Sequence, residues 1–436
     1  MEPLALAGIS FLVLFILLFL GVKVGISLAM TGCLGFFLYQ GNPGLVPLIP
    51  YRTLDSFVLT CVPLFILMGE ILVLSGATEG LYKACSKLVT RIPGGLLHTN
   101  IITCAIFAAI SGSSPGTAAT IGSVAIPSLK ERHYDIKIIL GSIVAGGTLG
   151  ILIPPSINMI VYGMLAEVSV GRLFAAGIIP GISLGGLFML YILYSAIRNK
   201  KIAPRDSRSS QKEIVFSLKD FMGLLPSIAL IFLVLGGIFA GIMTPTEAAA
   251  IGCTFSLFIV LALRKFSWSL LGRALAKTLQ TTCMILFIVV GSSILASFFS
   301  RTGIPTAVAE LVINSGVSKL AVILSICIVY VFLGCFIDPT SIIVMTASTV
   351  LPIVKELGFD MVWFGVIYVL TAEIGMITPP MGLNLFVVQG ISKENIVKVI
   401  QGSIPFLFLM IIFLGICIWF PSLILWLPNR LFGIGS

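Results

Sequence analysis

The sequence predicts an all-α polytopic membrane protein made of two inverted repeats, each with one re-entrant hairpin and one broken helix. The 436-residue chain is 58% hydrophobic and only 10% charged, whereas soluble globular domains carry about 25% charged residues. Apolar runs of membrane-spanning length recur from end to end, unlike the short alternating segments of a transmembrane β-barrel. A basic stretch near the middle separates two halves that resemble each other in sequence.

The apolar runs predict the membrane-spanning helices. A helix needs about 20 predominantly apolar residues to cross the hydrocarbon core of a bilayer. The first run lacks a basic n-region and a small-residue cleavage site, so we expect a retained span and not a removed signal peptide. The runs cover residues 4–22, 24–39, 56–75, 137–165, 174–197, 222–242, 246–263, 279–299, 361–390 and 402–427.

The stretch RNKKIAPRDSRSSQK, residues 198–212, interrupts the apolar pattern. Its basic residues far outnumber its single acid, Asp206, so the positive-inside rule assigns it to the cytoplasm. We therefore predict a first repeat at 1–197, a cytoplasmic basic linker at 198–220 and a second repeat at 221–436. The basic residues of the stretch are Arg198, Lys200, Lys201, Arg205, Arg208 and Lys212.

The two halves align without gaps over their later parts when one is shifted by 225 residues. Identical residues that recur at one fixed spacing indicate an internal repeat. The matched pairs are Gly150 with Gly375, Pro154 with Pro379, Pro155 with Pro380, Pro127 with Pro352, Lys130 with Lys355, Glu131 with Glu356, and Asp135 with Asp360.

The charged loops have exchanged places between the halves. The loop at 76–95 is more basic than its counterpart at 300–319, whereas the loop at 41–55 is less basic than its counterpart at 262–277. Because basic loops favour the cytoplasm, equivalent loops lie on opposite faces of the membrane, and the N-terminus lies outside. Inverted repeats of this kind are typical of secondary transporters, whose binding site lies at the repeat interface near the membrane midplane.

Two segments are predicted to enter the membrane and return to the same side. Residues 92–130 have basic residues at both ends, so both ends lie in the cytoplasm. Each apolar arm has about 15 residues, which is short for a full crossing. We therefore favour a re-entrant hairpin with the polar tip SGSSPGT (Ser111–Thr117) over two short spans with an exposed turn. The counterpart at 319–355 has its tip at GCFIDPTS (Gly334–Ser341).

Two further apolar segments, 137–165 and 361–390, are interrupted by GILIPPS (Gly150–Ser156) and GMITPP (Gly375–Pro380). Proline within a helix removes one amide donor and frees the carbonyl four residues back. Irregular backbone is tolerated in a membrane only where it lines a cavity or is buried in protein. Free oxygens suit a hard cation such as Na⁺, and the helix N-termini after the breaks suit a carboxylate. The alternative is a simple proline kink repaired by nearby Ser or Thr side chains.

Several polar side chains stand in or beside these irregular segments. Asp338 is either an N-cap in Asp-Pro-Thr-Ser or a ligand of ion or substrate, and both roles are compatible. Asn158 and Asn384 follow the two breaks and either contact substrate or bind freed backbone groups. Glu247 belongs to the capping-box pattern TPTEAAA, so we expect a structural role. Two further acids stand in apolar segments, Glu70 and Glu373.

Motifs of other function classes are missing from the sequence. An intramembrane protease is not predicted, because there is no nucleophile elbow and no H-E-x-x-H pattern. Without a P-loop the chain does not itself hydrolyse ATP. Two histidines and nine cysteines without C-x-x-C argue against a metal or redox centre. We expect neither an enzyme nor an organic cofactor, and we attribute the net charge of +9 to membrane topology and not to nucleic-acid binding.

Four motifs together resemble the large membrane subunit of tripartite ATP-independent periplasmic (TRAP) transporters. The resemblance extends over essentially the whole chain and fits the broader ion-transporter superfamily with inverted repeats. The motifs are SGSSPGTAATIGSVAIPSL, GGTLGILIPPSINMIVYG, TPTEAAA and EIGMITPPMGLNLF.

This resemblance implies an elevator-type importer driven by Na⁺ in the bacterial inner membrane. In such proteins a mobile transport domain, which carries the two hairpins, slides against a fixed scaffold. A small four-helix membrane subunit braces the scaffold, and a soluble periplasmic protein delivers the substrate, usually an organic acid with a carboxylate. Residues before Val24 leave room for only one span, so we expect the small subunit to be a separate chain.

The motif match also implies site residues, most of which would act through backbone carbonyls. Ile153 stands where the second half has Thr378, so the first break lacks the hydroxyl ligand that Thr378 offers, and only backbone oxygens can serve there. The first sodium site would involve Ser111, Ser114, Gly150, Ile153 and Pro155. The second would involve Gly334, Gly375, Thr378 and Met381. The substrate would lie near Ser113, Gly116, Thr117, Asn158, Asp338 and Asn384.

One alternative function stays open at this point. The chain could be a standalone carrier of organic anions, coupled to Na⁺ or H⁺ and independent of a capture protein. The sequence does not identify the substrate, because specificity in the tripartite arrangement resides mostly in the capture protein.

Overall fold

The computed structural model describes residues 3–40, 44, 46–89, 92–199, 202–203, 218–314 and 316–433. Its regular elements are helices, and the described residues contain no β-strand. Most of the predicted cytoplasmic linker lies outside these residues, including the basic side chains Lys200, Lys201, Arg205, Arg208 and Lys212.

Within its described residues, the first half of the chain forms ten α-helices. A π-helical turn at Phe36–Gln40 follows the second of them, and a 3₁₀ turn at Val58–Thr60 precedes the fourth. The α-helices are α1 (Pro3–Phe19), α2 (Val24–Gly35), α3 (Leu48–Leu54), α4 (Cys61–Leu74), α5 (Ala77–Val89), α6 (Leu96–Ser111), α7 (Ser114–Glu131), α8 (Ile136–Leu152), α9 (Ile157–Leu165) and α10 (Val170–Arg198).

The second half of the chain forms ten more helices within the described residues. They are α11 (Leu218–Phe239), α12 (Pro245–Ala262), α13 (Trp268–Thr302), α14 (Ile304–Asn314), α15 (Lys319–Gly334), α16 (Pro339–Glu356), α17 (Met361–Met376), α18 (Leu383–Ser392), α19 (Ile396–Trp419) and α20 (Ser422–Phe432).

Five helical segments of the described chain are long and apolar enough to cross a membrane: α8 with α9, α10, α12, α13 and α19. The pair Leu48–Leu54 and Val58–Leu74, which is bent by 65°, makes a sixth if it forms one span. Further apolar helices of 10–17 residues, such as α6, α15 and α17, are shorter than a full crossing. The chain is therefore an all-α polytopic membrane protein, as the sequence predicts.

Both broken helices of the sequence prediction are confirmed. The first is interrupted between Leu152 and Ile157, and the second between Met376 and Leu383. The Pro154–Pro155 and Pro379–Pro380 peptide bonds are both cis. The helices before the breaks begin alike. The Asp135 carboxylate caps α8 by accepting from two backbone amides, and Asp360 caps α17 in the same way.

Some predicted boundaries differ from the structure. The segment 262–277 is not a loop throughout, because Ser267 caps α13 and the helix already includes Arg273 and Lys277. The apolar run at 402–427 is divided between α19 and α20, since Pro421 provides no amide donor and restricts Phe420 before it. Within 76–95, residues 77–89 form the helix α5.

The helices pack in two groups. The hairpin group comprises α6–α9 and α15–α18 with α10 and α19; in it α8 packs against α6, α7 and α19, and α17 packs against α15 and α16. The flanking group comprises α1, α2, α4, α5 and α11–α14; in it α13 packs against α2 and α4, and α12 packs against α4 and α11. The groups are joined mainly by contacts of α4, α5 and α11 with α6, and of α13 and α14 with α16.

An ion-pair cluster anchors the C-terminal end of α7. The Lys130 ammonium lies 2.8 Å from Glu394 Oε1, and Lys398 lies 2.9 Å from Glu394 Oε2. Hydrogen bonds from the two lysines hold the pKa of the Glu394 carboxyl below its usual range. Glu394 stands between α18 and α19, so the cluster connects the first hairpin to the second half of the chain.

Candidate functional site

A cavity of about 370 Å³ lies between the two helix groups. One wall is formed by the two hairpin tips and the start of α9, and the facing wall is formed by α4 and α13. Its polar lining residues come from both halves of the chain: Glu70, Ser111, Ser113, Ser114, Thr120, Asn158, Lys277, Thr281, Asp338 and Thr340.

The first hairpin tip turns at Gly112, which has the left-handed φ of +58° that glycine adopts without steric cost. Ser113 follows as the N-cap of α7 and accepts a hydrogen bond of 3.3 Å from the Gly116 amide. Pro115 lies in the first turn, where its missing amide hydrogen is not needed. The first turn of α7, with its partial positive charge, therefore lines the cavity.

The second hairpin tip is built in the same way. Asp338 is the N-cap of α16, with Oδ2 accepting from the Ser341 amide at 3.0 Å and Oδ1 accepting from the Ser341 hydroxyl at 2.5 Å. Pro339 occupies the first turn. Asp338 also lines the cavity with Pro339 and Thr340. Its capping role is thus confirmed, and its position leaves it within reach of a bound solute.

The asparagines that follow the two breaks form reciprocal hydrogen bonds between the halves. Thr340 of the second tip donates from Oγ1 to Asn158 Oδ1 at 2.5 Å. Asn384 donates from Nδ2 to the Oγ of Ser114, on the first tip, at 2.7 Å. Each broken helix is thereby attached to the hairpin tip of the other half. Asn158 lines the cavity, whereas Asn384 is buried behind the first tip.

Ser114 also donates from Oγ to Glu373 Oε2 at 2.9 Å. All three side chains, Ser114, Glu373 and Asn384, are buried. The remaining oxygens, Glu373 Oε1 and Asn384 Oδ1, accept no hydrogen bond from the described residues. The sequence marks Glu373 only as an acid in an apolar segment, because its partner stands 259 residues away.

The residues predicted for the first sodium site lie close together around the first tip. A methyl group at Gly150 would stand 2.6 Å from the Ser113 carbonyl oxygen, and one at Gly112 would stand 3.0 Å from the Pro155 carbonyl oxygen. The glycines thus allow the tip backbone to contact the helix break directly. Ser111 Oγ is hydrogen-bonded to Thr117 Oγ1 at 2.8 Å. The Ile153 side chain packs towards Gly181 of α10, so the group that Ile153 offers to a cation is its backbone carbonyl oxygen.

The residues predicted for the second sodium site surround a similar contact. A methyl group at Gly375 would stand 2.6 Å from the Gly334 Cα atom. Thr378 donates from Oγ1 to the Ile374 carbonyl at 2.6 Å, and the Gly382 amide donates to the Cys335 carbonyl at 3.1 Å. Met381 is 52% exposed, whereas the first break is mostly buried. Both sets offer hydroxyl and carbonyl oxygens, the donor chemistry of hard cations.

Of the six predicted substrate residues, four line the cavity and two are buried behind its wall. Ser113, Gly116, Asn158 and Asp338 line the cavity. Thr117 and Asn384 are buried and hydrogen-bonded to Ser111 and Ser114.

Two polar residues that face the tips had no predicted role. Glu70 of α4 and Lys277 of α13 form an ion pair of 3.4 Å in the cavity wall. The charge pattern assigned Lys277 to a loop. A prediction that residues 268–277 are helical would have placed Lys277 on a membrane helix. The other acid named from the sequence, Glu247, forms the expected capping box with Thr244.

The family described as "Tripartite ATP-independent periplasmic transporter, DctM component" matches residues 11–423. The C4-dicarboxylate TRAP transporter large permease protein DctM of Pseudomonas aeruginosa is 36% identical, covering 93% of this chain and 94% of the relative. Its namesake in Vibrio cholerae is 32% identical, covering 98% of each chain. The sialic acid TRAP transporter large permease protein SiaM of Vibrio cholerae is 31% identical, covering 96% of this chain and 98% of the relative.

A solved structure has a similar fold. The Alcanivorax borkumensis YdaH transporter superposes with a TM-score of 0.61 at 14% identity, covering 85% of this chain and 89% of that chain. The sequence matches extend over nearly the whole chain and concern transporter permeases, not enzymes. The chain therefore belongs to the family of DctM components, the large permease subunits of TRAP transporters.

Proposed function

We propose that this subunit imports a small organic acid across the bacterial inner membrane, driven by Na⁺, and receives the acid from a periplasmic binding protein. The observation that carries this proposal is the arrangement of two helix breaks against two hairpin tips around one cavity. The breaks supply oxygen donors for sodium, and the tips supply helix N-termini for an anion.

The sodium part of the proposal is supported by the close backbone approach at each break. The two glycine contacts, at Gly150 and at Gly375, allow carbonyl oxygens of a tip and of a break to converge. Hydroxyl oxygens of Ser114 and Thr378 stand beside these contacts. Carbonyl and hydroxyl oxygens together suit Na⁺ better than they suit a softer metal ion.

The carboxylate part is supported by the polarity of the cavity. The first turns of α7 and α16 both line it, so the positive ends of two helix dipoles face the same space. Relatives are named for C4-dicarboxylate, 2,3-diketo-L-gulonate and sialic acid, which are carboxylic acids, and one relative is named for isethionate, a sulfonate.

The proposed transport mechanism is an elevator motion. The hairpin group would carry sodium and substrate past the flanking group, and a small four-helix membrane subunit would brace the flanking group. The N-terminus would be periplasmic and the linker at 198–212 cytoplasmic, as the inverted distribution of basic loops indicates.

Uptake by proteoliposomes tests this proposal. The full complex, with the small subunit and the binding protein, is expected to accumulate labelled succinate only under an inward Na⁺ gradient. Uptake without the binding protein would favour the alternative, a standalone carrier. Uptake that follows a proton gradient and ignores Na⁺ would contradict sodium coupling.

A further inference from the structure

We propose that Lys277 is the cation that binds the substrate carboxylate in the cavity, and that Glu70 holds Lys277 when the cavity is unloaded. This inference rests on the proposed function, because it names the residue that recognises the carboxylate. It assigns part of the binding site to the flanking group, whereas the predicted substrate residues all belong to the hairpin group.

The position of Lys277 supports this role. Among the described residues that line the cavity, Lys277 is the one basic side chain. It faces the polar wall that contains Ser113, Asn158 and Thr340. A carboxylate bound between the two walls can therefore meet an ammonium group on one side and hydroxyl, amide and helix N-terminal donors on the other.

The contact between Lys277 and Glu70 is loose. The ammonium nitrogen lies 3.4 Å from Glu70 Oε2, and the lysine side chain is 54% exposed. Glu70 Oε2 itself is buried and accepts no hydrogen bond from the described residues. The lysine side of this ion pair is exposed and the contact is long, so the pair holds Lys277 only weakly and the ammonium is accessible to an incoming carboxylate. The long flexible stem of lysine allows the ammonium to turn from one carboxylate to the other.

The charges of the cavity lining also support a substrate-binding role for Lys277. Its acidic lining residues are Glu70 and Asp338, and both Asp338 oxygens are engaged in capping α16 through Ser341. An organic anion that entered without a cationic partner would be repelled by both acids. Lys277 offsets one of these charges in the empty cavity and becomes available to the anion when Glu70 releases it.

This arrangement also provides for release. Lys277 and Glu70 stand on α13 and α4, which pack against each other in the flanking group. In the elevator motion the hairpin group carries the substrate away from both residues. The ion pair between Glu70 and Lys277 then forms again, so the Lys277 ammonium is not left unpaired when the substrate carboxylate leaves it.

Variants of the full chain, purified with the small subunit, test the inference by succinate binding in sodium buffer. The readout is the apparent dissociation constant from thermal-shift titration, and neutral succinamide serves as the uncharged probe. We expect Lys277→Gln to weaken succinate binding about tenfold or more and Glu70→Gln to strengthen it several-fold. The double variant should resemble Lys277→Gln, because Glu70 acts only through Lys277. Binding of succinamide should not change between variants.

Arg273→Gln is the matched control, because it removes a positive charge one turn earlier on α13, at a residue that does not line the cavity. Equal weakening by Arg273→Gln and Lys277→Gln would overturn the inference, since it would indicate a general field effect. Unchanged succinate binding in Glu70→Gln would also overturn it, and this variant still tests the inference if Lys277→Gln does not fold.

A wild-type complex that transports no carboxylate contradicts the proposed function itself. Normal wild-type transport together with unchanged succinate binding in the variants contradicts only the role of Lys277.

Discussion

The Oγ atom of Ser114 donates a hydrogen bond of 2.9 Å to Glu373 Oε2 across 259 residues of sequence. The same oxygen accepts from Asn384 Nδ2 at 2.7 Å. Ser114 begins the returning helix of the first hairpin, whereas Glu373 and Asn384 flank the break of the second half. One hydroxyl group of a predicted sodium site is therefore held by the other half of the protein.

Removal of this hydroxyl is expected to destabilise the fold. Ser114→Ala leaves the buried Glu373 carboxylate and the Asn384 amide without their shared partner, at a cost of about 1–3 kcal/mol. Adding Glu373→Leu to Ser114→Ala should recover part of this loss, because the buried Glu373 carboxyl group is then no longer left without its partner, although the Asn384 amide still is. Thermal unfolding in sodium-free choline buffer measures both effects. Strictly additive losses would contradict the coupling.

Loss of the Thr378 hydroxyl is expected to weaken sodium dependence. Thr378→Ala should raise the Na⁺ concentration for half-maximal uptake about tenfold, which corresponds to ~1.4 kcal/mol, and Ser114→Ala added to it should weaken the response further. Thr371→Ala is a matched control, because Thr371 within α17 and Thr378 in the break after it each donate to the α17 carbonyl four residues back. An unchanged sodium response in Thr378→Ala would refute this ligand.

The contact between Gly334 and Gly375 leaves no room for a side chain. A methyl group at Gly375 would stand 2.6 Å from Gly334 Cα, so Gly375→Ala must push the second hairpin away from the break. We expect sodium-driven uptake to fall more than about tenfold, since a ligand shell tolerates little displacement. Gly390→Ala is the control on α18, where a methyl group meets nothing within 4 Å. Equal activity of the two variants would exclude a tight approach at Gly375.

The hydrogen bond between Thr340 and Asn158 is expected to shape the cavity wall. Asn158→Ala and Thr340→Ala should each raise the KM for uptake, and the double variant should show a coupling of about 1 kcal/mol. Asn384→Ala, which alters a buried residue outside the cavity lining, should change sodium dependence more than KM. Independent effects of Asn158 and Thr340 on KM would show that the contact does not matter for substrate.

Local chemistry made the irregular segments predictable. Adjacent prolines cannot continue a helix, and Asp-Pro-Thr-Ser and Thr-Pro-Thr-Glu are strong helix starts, so the breaks and the caps at Asp338 and Thr244 follow from a few residues each. The spacing of 225 residues matched the two breaks between the halves. The position of the cavity at the two tips followed from the same pairing.

Contacts between distant segments were not predictable in this way. Nothing in the residues around Glu373 indicates that its partner is Ser114, because tertiary packing alone brings α17 to the first tip. Lys277 was read as a loop residue on its charge, although the apolar positions Leu270 and Ala274 are buried on the same helix. A charge pattern indicates the side of the membrane on which a segment lies, but it does not indicate whether that segment is a loop or the end of a helix.

Equilibrium binding of ²²Na⁺ to the purified chain tests the central claim most directly, because it counts the ions held by the two breaks. The wild-type protein is expected to bind two Na⁺ per chain, and Gly375→Ala is expected to bind one. Equal numbers in the wild type and in Gly375→Ala, or no saturable binding in the wild type, would contradict the assignment of the breaks as sodium sites.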